Sequence, residues 1–452
     1  MDLNWKANYW HSRALFVLAS LGGSIGLGTF WRFPDALTQY GGSAFLLLYF
    51  ALALLFVFPM LFAQVAVGRS MRKDPIHAIG YLLIKSKQSE IGAYAVFAGM
   101  IAAVVIVVVA ATYGAWVINY LEGFVNAAYT GITPSQAEAH FNSSFQKVSS
   151  LYIGLGVFMC LLLVVSAGNM HYDLFWAIKV LVPLLLCGLV ATLAYSAELP
   201  FFVESVKQLL SFNPHALSLE ALRYAASYAF YTFLMGTGVM VILGSYMPQQ
   251  GRIDTPLHLV IWLDLLFAVM IAIVLVTVMK AFGGDLTSGP ALIFVSLPSA
   301  LGHLPNGQLL GVILFSCLLL ATWTSAQLLL EPCIAWLEER YDWHRYFAAL
   351  ALLVPVGLGA AGLIWVLANR SYGQWVLDVI DVAAGYIVLP LSGLAITWLI
   401  GWRVKPAFWF RALRQVPKVG IRLWLVLLRF FCPLATAVLM GWNLVEWLSS
   451  YT

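Results

Sequence analysis

The sequence predicts an all-α polytopic membrane protein with about eleven transmembrane helices, a five-plus-five inverted repeat, and unwound helices 1 and 6. Three observations carry this. The chain of 452 residues is 62% hydrophobic and only 10% charged, where a soluble domain would carry roughly 25% charge. Its apolar runs are too many for one buried core. Two of those runs, the first and the sixth, are broken by glycines.

A span needs about 20 apolar residues. Runs of that length lie at roughly 11–37, 43–70, 91–124, 150–167, 174–195, 222–246, 257–281, 308–336, 346–368, 376–401 and 423–448. The first contains Gly22-Gly23-Ser24-Ile25-Gly26-Leu27-Gly28 and then Arg32-Phe33-Pro34. Glycines weaken a helix, and a backbone that unwinds in lipid must find partners for its freed carbonyls. Such breaks are kept where carbonyls hold an ion and helix ends hold a substrate. The run has no small-residue cleavage site, so it is expected to persist as a span. The second run carries Gln64, and the third to fifth are uninterrupted. The sixth is broken at Met235-Gly236-Thr237-Gly238, midway between Tyr224 and Tyr246. The seventh holds Asp264 near its centre. Residues 287–303 are apolar but short and proline-bounded, and are expected to lie in or on the protein. The eighth run is interrupted by Thr322, Thr324, Ser325 and Gln327, and the tenth begins with Asp378 and Asp381.

Five spans separate the starts of the two broken helices, so repeats of five begin on opposite sides of the bilayer. Repeat one covers about 11–195, repeat two about 222–401, and an additional helix about 423–448, all within one transporter domain. Basic residues set the orientation. Lys6 and Arg13, then Arg69, Arg72, Lys73, Lys85 and Lys87, then Arg252, Arg340 and Arg345, and finally the run from Arg403 to Arg422 all fall on one side. That side and the N-terminus are expected to be cytoplasmic, and the C-terminus outside. The net charge of +4 is no nucleic-acid signal, because the basic residues lie between spans. The five cysteines, Cys160, Cys187, Cys317, Cys333 and Cys432, sit in or at the ends of apolar runs. They read as small core residues.

Charges inside spans are expensive and mark function. A lone aspartate such as Asp264 needs a cation, a proton or a partner. Oxygen-rich sets with few full charges suit a hard monovalent cation such as sodium. Thr324 and Ser325 read either as members of such a set or as hydroxyls bonded back to their own helix. Arg32 and Asp381 read either as an ion pair or as separate charges at helix ends. There is no Ser/His/Asp set, phosphate-cradling loop or metal-ligand cluster, so no enzyme is expected.

The stretch from Gly22 to Pro34, with Tyr40-Gly41-Gly42-Ser43-Ala44-Phe45 after it, resembles the first-helix signature of the neurotransmitter:sodium symporters, in the form of their bacterial amino-acid transporters. Gly289-Pro290-Ala291-Leu292-Ile293-Phe294 resembles that family's outer hairpin. Ala321 to Pro332 is similar to its eighth helix, and Leu377-Asp378-Val379-Ile380-Asp381 to its tenth. The likeness runs from about residue 6 to 402 in one register. It implies sodium-coupled symport of an amino acid or amino-acid-like solute by alternating access, in a bacterial cell membrane, with one or two Na+ ions. A second sodium site would use Gly22, Ile25, Ala321, Thr324 and Ser325. A first would use Ser24, Thr29, Thr232 and Asp264, with Thr29 standing where asparagine is usual. In the chloride-binding positions Tyr49 is present, but Tyr228 replaces a glutamine and Ala268 a serine, so chloride is not expected.

The resemblance places the substrate among Ser24, Gly26, Ile106, Ala110 and Tyr231, with Leu234, Gly236, Thr237, Ser325 and Leu329 opposite. Ala110 stands where a tyrosine usually anchors the substrate carboxylate, and Tyr113 lies one turn further on. Gln64 replaces a glutamate that braces the sixth-helix break. Arg32 and Asp381 match the outer gate. Trp10, Ser245, Tyr246 and Glu339 match the inner one, whose usual arginine is Ala7 here, leaving Lys6 or Arg13 to serve. Two alternatives stay open: a non-transporting sensor or channel with this fold, and proton coupling through Asp264. The expected partners are a small-molecule substrate and the lipid bilayer, without nucleic acid; monomer and dimer both stay open.

Overall fold

A computed structural model describes residues 12–144, 148–168, 173–249, 251–283, 289–368 and 370–449. Among these the chain is helical throughout, with one isolated β-bridge between Gly42 and Phe212. The first span is two helices, α1 (Arg13–Ser24) and α2 (Leu27–Gln39), bent by 69° across two residues. Then come α3 (Ser43–Met71), the short α4 (Pro75–Lys85), α5 (Glu90–Val125), α6 (Val148–Ser166) and α7 (Phe175–Ala197). The sixth span is also split, into α8 (Leu219–Thr232) and α9 (Val239–Tyr246). After it run α10 (Asp254–Phe282), the short apolar α11 (Leu292–His303), α12 (Gly307–Tyr341), α13 (Arg345–Ala368), α14 (Trp375–Arg403) and α15 (Lys418–Ser449).

Nine helices among the described residues are long and apolar enough to cross a membrane, and the bent first pair makes a tenth. The α8–α9 pair lies where the sixth of the eleven runs is expected. The segment 287–303 is not a span; its described part forms α11.

The breaks have local causes. At the first, Ile25 (φ −79°, ψ 88°) and Gly26 (φ −118°, ψ −170°) leave helical geometry. At the second, Leu234, Gly236 and Gly238 take positive φ of 53°, 83° and 84°. Glycine does this freely, whereas leucine pays about 1–2 kcal/mol. Packing holds Leu234 there: its Cδ1 lies 3.0 Å from where a Cβ on Gly23 would sit.

The broken helices are gripped between two pairs of continuous ones. α12 packs along α5, and α1 lies against both α10 and α12, while α9 runs beside α3. Small residues bring these backbones together, as membrane packing favours. A Cβ on Gly68 would stand 1.8 Å from the Val241 carbonyl, and one on Gly22 would stand 2.8 Å from Val182 Cγ2. The expectation of five core cysteines is corrected. Cys317, Cys333 and Cys432 are buried, but Cys160 and Cys187 are exposed on outer helix faces, because α6 and α7 bury only one side.

Candidate functional site

The break after Ser24 presents main-chain oxygens to α12. Thr324 Oγ1 donates to the Gly22 carbonyl at 2.8 Å and lies 3.2 Å from that of Ala321. Ser325 Oγ lies 3.2 Å from Gly22 O and 3.1 Å from Gly23 O. Its hydroxyl is also 3.2 Å from where a Cβ on Gly26 would be, which sets it beside the Ile25–Gly26 bend. Ile25 itself is fully buried. Carbonyl and hydroxyl oxygens therefore converge with no ionised group among them. Such a neutral, all-oxygen donor set fits a hard monovalent cation.

A second oxygen cluster forms around the start of α2. Thr29 Oγ1 reaches the Ser24 carbonyl at 3.4 Å, and Thr232 ends α8 nearby. Asp264 is fully buried in α10. Its Oδ2 accepts the Tyr49 hydroxyl at 2.8 Å, while its Oδ1, with the Ser24 hydroxyl nearby, meets no partner in full hydrogen-bond geometry. An ionised carboxylate with one buried oxygen unmet is costly unless a cation or proton completes it, so this cluster too fits a cation. Tyr49 is committed to Asp264, and Ala268 offers no donor, so an anion would find few donors here.

Between the breaks lies a cavity of about 550 Å³. Ser24, Gly26, Ile106, Ala110, Tyr231, Leu234, Thr237, Ser325 and Leu329 all line it. Gly236 does not. Its carbonyl accepts Ser392 Oγ at 2.7 Å, and a Cβ there would be 2.4 Å from Leu389 O, so it faces α14 instead. The Thr237 hydroxyl is also engaged, bonded to Leu234 O at 2.7 Å and capping Val239 N at 3.3 Å. Gln64 reaches the break at Met235 Sδ, 3.5 Å away. Tyr113, one turn along α5 from Ala110, also lines the cavity, with its ring 5.6 Å from Trp31 and 6.4 Å from Phe294.

Arg32 and Asp381 close one end of the cavity, with Nη2 and Oδ2 at 3.0 Å and side chains 41% and 53% exposed. Beneath them the Tyr231 hydroxyl donates to Gly385 O at 2.7 Å. This carbonyl is accessible because residues Asp381–Val388 form a π-helical stretch, a feature frequent at functional sites. Tyr224 donates to Arg32 O at 3.0 Å.

The opposite end, which carries the basic connections, is closed by charge networks. Tyr246 donates to Glu331 at 2.8 Å, and Arg345 pairs with Glu331 at 2.6 Å and Glu338 at 3.1 Å. Arg72 Nη1 donates to Ser245 O at 3.0 Å. Glu339 binds Lys73 and accepts the Asp74 main-chain N–H at 3.1 Å. Asp74 in turn caps α4 and holds His77. Lys73 thus supplies Glu339 with a cation, while the Arg13 guanidinium lies against Gly251. Trp10, Lys6 and Ala7 lie outside the described residues. The sequence reading missed Lys73 and Arg345 as site residues, since both read as basic loop residues that set topology. It also missed the buried phenol of Tyr228, which read only as an absent glutamine.

Comparison with known proteins agrees with this geometry. The chain matches the family described as the sodium:neurotransmitter symporter family over residues 7–143 and 136–451. It is 26% identical over 451 residues to the uncharacterized sodium-dependent transporter YhdH of Bacillus subtilis (strain 168), covering 98% of this chain and 99% of that protein. It is 27% identical to the uncharacterized sodium-dependent transporter MJ1319 of Methanocaldococcus jannaschii, over 87% of this chain and 82% of that one. The crystal structure of MhsT in complex with L-phenylalanine superposes with a TM-score of 0.83 at 27% identity, covering 96% of this chain and 98% of that chain.

Proposed function

Because the chain belongs to the sodium:neurotransmitter symporter family, whose members are membrane transporters and not enzymes, we propose that it is a sodium-coupled symporter of an amino acid or amino-acid-like solute, working by alternating access. The observation that carries this is the pair of oxygen clusters flanking one cavity at two helix breaks. The Gly22, Ile25, Ala321, Thr324 and Ser325 set would hold one Na+, and Ser24, Thr29, Thr232 and Asp264 another. Bound sodium would neutralise Asp264 and tie α1 to α10 and α12, which ion binding would then couple to movement.

The substrate would lie in the cavity against the unwound segments. The α2 N-terminus offers positive dipole to a carboxylate, and Ile106, Ala110, Leu234 and Leu329 would receive an apolar side chain. Arg32 and Asp381 would gate the outer face. Tyr246, Ser245 and Glu339 would belong to the gate on the basic, cytoplasmic side, with Lys73 as the cation opposite Glu339. Chloride has no place in the cycle, because Tyr49 serves Asp264.

L-phenylalanine, the ligand of the MhsT structure, is the first solute to test. Purified protein in liposomes should accumulate a transported solute under an inward sodium gradient and stop when potassium replaces sodium. A solute panel scored by thermal stability with and without sodium would find the substrate, since a ligand that binds only the folded state raises apparent stability. A second reading, proton coupling at Asp264, is favoured only by the unmet Oδ1. Uptake driven by a pH gradient without sodium would select it. Ligand binding without gradient-driven flux would select a sensor.

A further inference from the structure

Tyr228 lies in α8 one turn before Thr232, so both side chains project from the same helix face. The residue is 6% exposed. Its ring is wedged between Phe33, at 5.3 Å, and Tyr49, at 5.6 Å, and its Cε2 is 4.0 Å from where a Cβ on Gly28 would be. This packing fixes the ring and aims the hydroxyl at the hydroxyls of Thr29 and Thr232. Yet neither the phenol oxygen nor Asp264 Oδ1 meets a partner in full hydrogen-bond geometry, although the Thr29 and Thr232 hydroxyls lie beside the first and the Ser24 hydroxyl beside the second. Buried polar atoms are nearly always paired. Two incompletely paired oxygens in one cluster, one on a carboxylate and one on a rigid phenol, point to a ligand shared between them.

We infer that the Tyr228 hydroxyl is an oxygen ligand of the cation held by Ser24, Thr29, Thr232 and Asp264. The inference rests on the sodium reading above. An anion is disfavoured here, because the Asp264 carboxylate repels it and the Tyr49 proton is already donated to Oδ2. A cation instead meets lone pairs from the phenol, the two threonines and the carboxylate. The chain itself then supplies both the neutralising charge and the extra oxygen. Sodium therefore binds this site before any substrate and without a substrate carboxylate.

The test is equilibrium binding of radioactive sodium to the purified full-length protein, without substrate, for wild type and Tyr228→Phe. Removing one oxygen ligand should weaken one sodium component at least about tenfold and leave the other intact. Thr324→Ala should weaken the other component. Because the phenol is held by ring packing and not by a well-formed hydrogen bond, Tyr228→Phe should melt close to wild type in potassium and below it in sodium; a packing role would not make the difference depend on the ion. Tyr228→Gln, which restores an oxygen, should recover part of the lost sodium affinity. Unchanged sodium binding in Tyr228→Phe overturns the assignment, as does equal destabilisation in both ions. Wild-type protein that binds no sodium overturns the sodium reading as well.

Discussion

The hydroxyl of Thr324 donates to the carbonyl of Gly22 at 2.8 Å, across 302 residues of chain and between two helices. This one bond ties the opened backbone of α1 to α12. A cation held here would be met by a lone pair of that hydroxyl, whose proton would turn away from the Gly22 carbonyl. Thr324→Val keeps shape and loses the oxygen. It should abolish sodium stabilisation at this site while leaving the fold intact. Sodium at about a hundred times its dissociation constant raises wild-type stability by about 2.7 kcal/mol, and the variant should lose the share due to this ion in a thermal unfolding series.

Gly22 itself admits no side chain. Val182 Cγ2 and Thr324 Cβ would stand 2.8 Å and 3.4 Å from a new Cβ. Gly22→Ala should push α1 from α7, where Val182 stands, and cost about 1–3 kcal/mol as an overpacking change. Sodium affinity should fall with it, read by the same unfolding series with and without the ion.

The Arg32–Asp381 pair is half-exposed, and such pairs contribute about 0–1 kcal/mol to stability. Arg32→Ala should therefore leave the melting temperature nearly unchanged. Uptake should fall severely, because the pair bridges α2 and α14 over the cavity mouth. Flux in liposomes beside melting curves separates the two effects.

Arg345 and Glu331 behave differently, since both are buried, at 7% and 0% side-chain exposure. Arg345→Met leaves Glu331 without its charge partner, and breaking a buried pair on one side costs about 3–5 kcal/mol. The double variant Arg345→Met with Glu331→Gln should recover much of the loss. Thermal unfolding in detergent measures both.

His77 lies in α4, outside the spans. The Asp74 hydrogen bond holds its pKa above the ordinary value of 6.5, helped by the Asp74 and Glu339 charges and opposed by burial and Lys73. A raised folded value means the contact contributes fully below about pH 6.5 and is lost as pH climbs through that raised value. The stability gap between wild type and His77→Gln should thus be largest in acid and shrink toward alkaline pH. Lys73→Ala should loosen the same cluster. It should raise labelling of Ser245→Cys by an impermeant thiol reagent from the basic side, with Cys160 and Cys187 replaced by serine.

The sequence by itself determined the class of molecule, the order of its apolar runs and where two of them break. Those properties are local: twenty apolar residues read as a span, and clustered glycines weaken a helix wherever they stand. The family resemblance carried by motifs in one register then grouped Gly22 with Thr324 and Ser325, and Asp264 with Ser24, Thr29 and Thr232. Only the tertiary structure decided which way each polar group turns. Gly236 faces α14 and not the cavity, Tyr113 joins the cavity lining, and Lys73 meets Glu339. Tyr49 spends its proton on Asp264 Oδ2, and the Tyr228 hydroxyl comes to lie beside those of Thr29 and Thr232. The physical reason is that helix rotation and side-chain direction follow from packing between distant segments, and in a chain this uniformly apolar no periodicity records which face meets which.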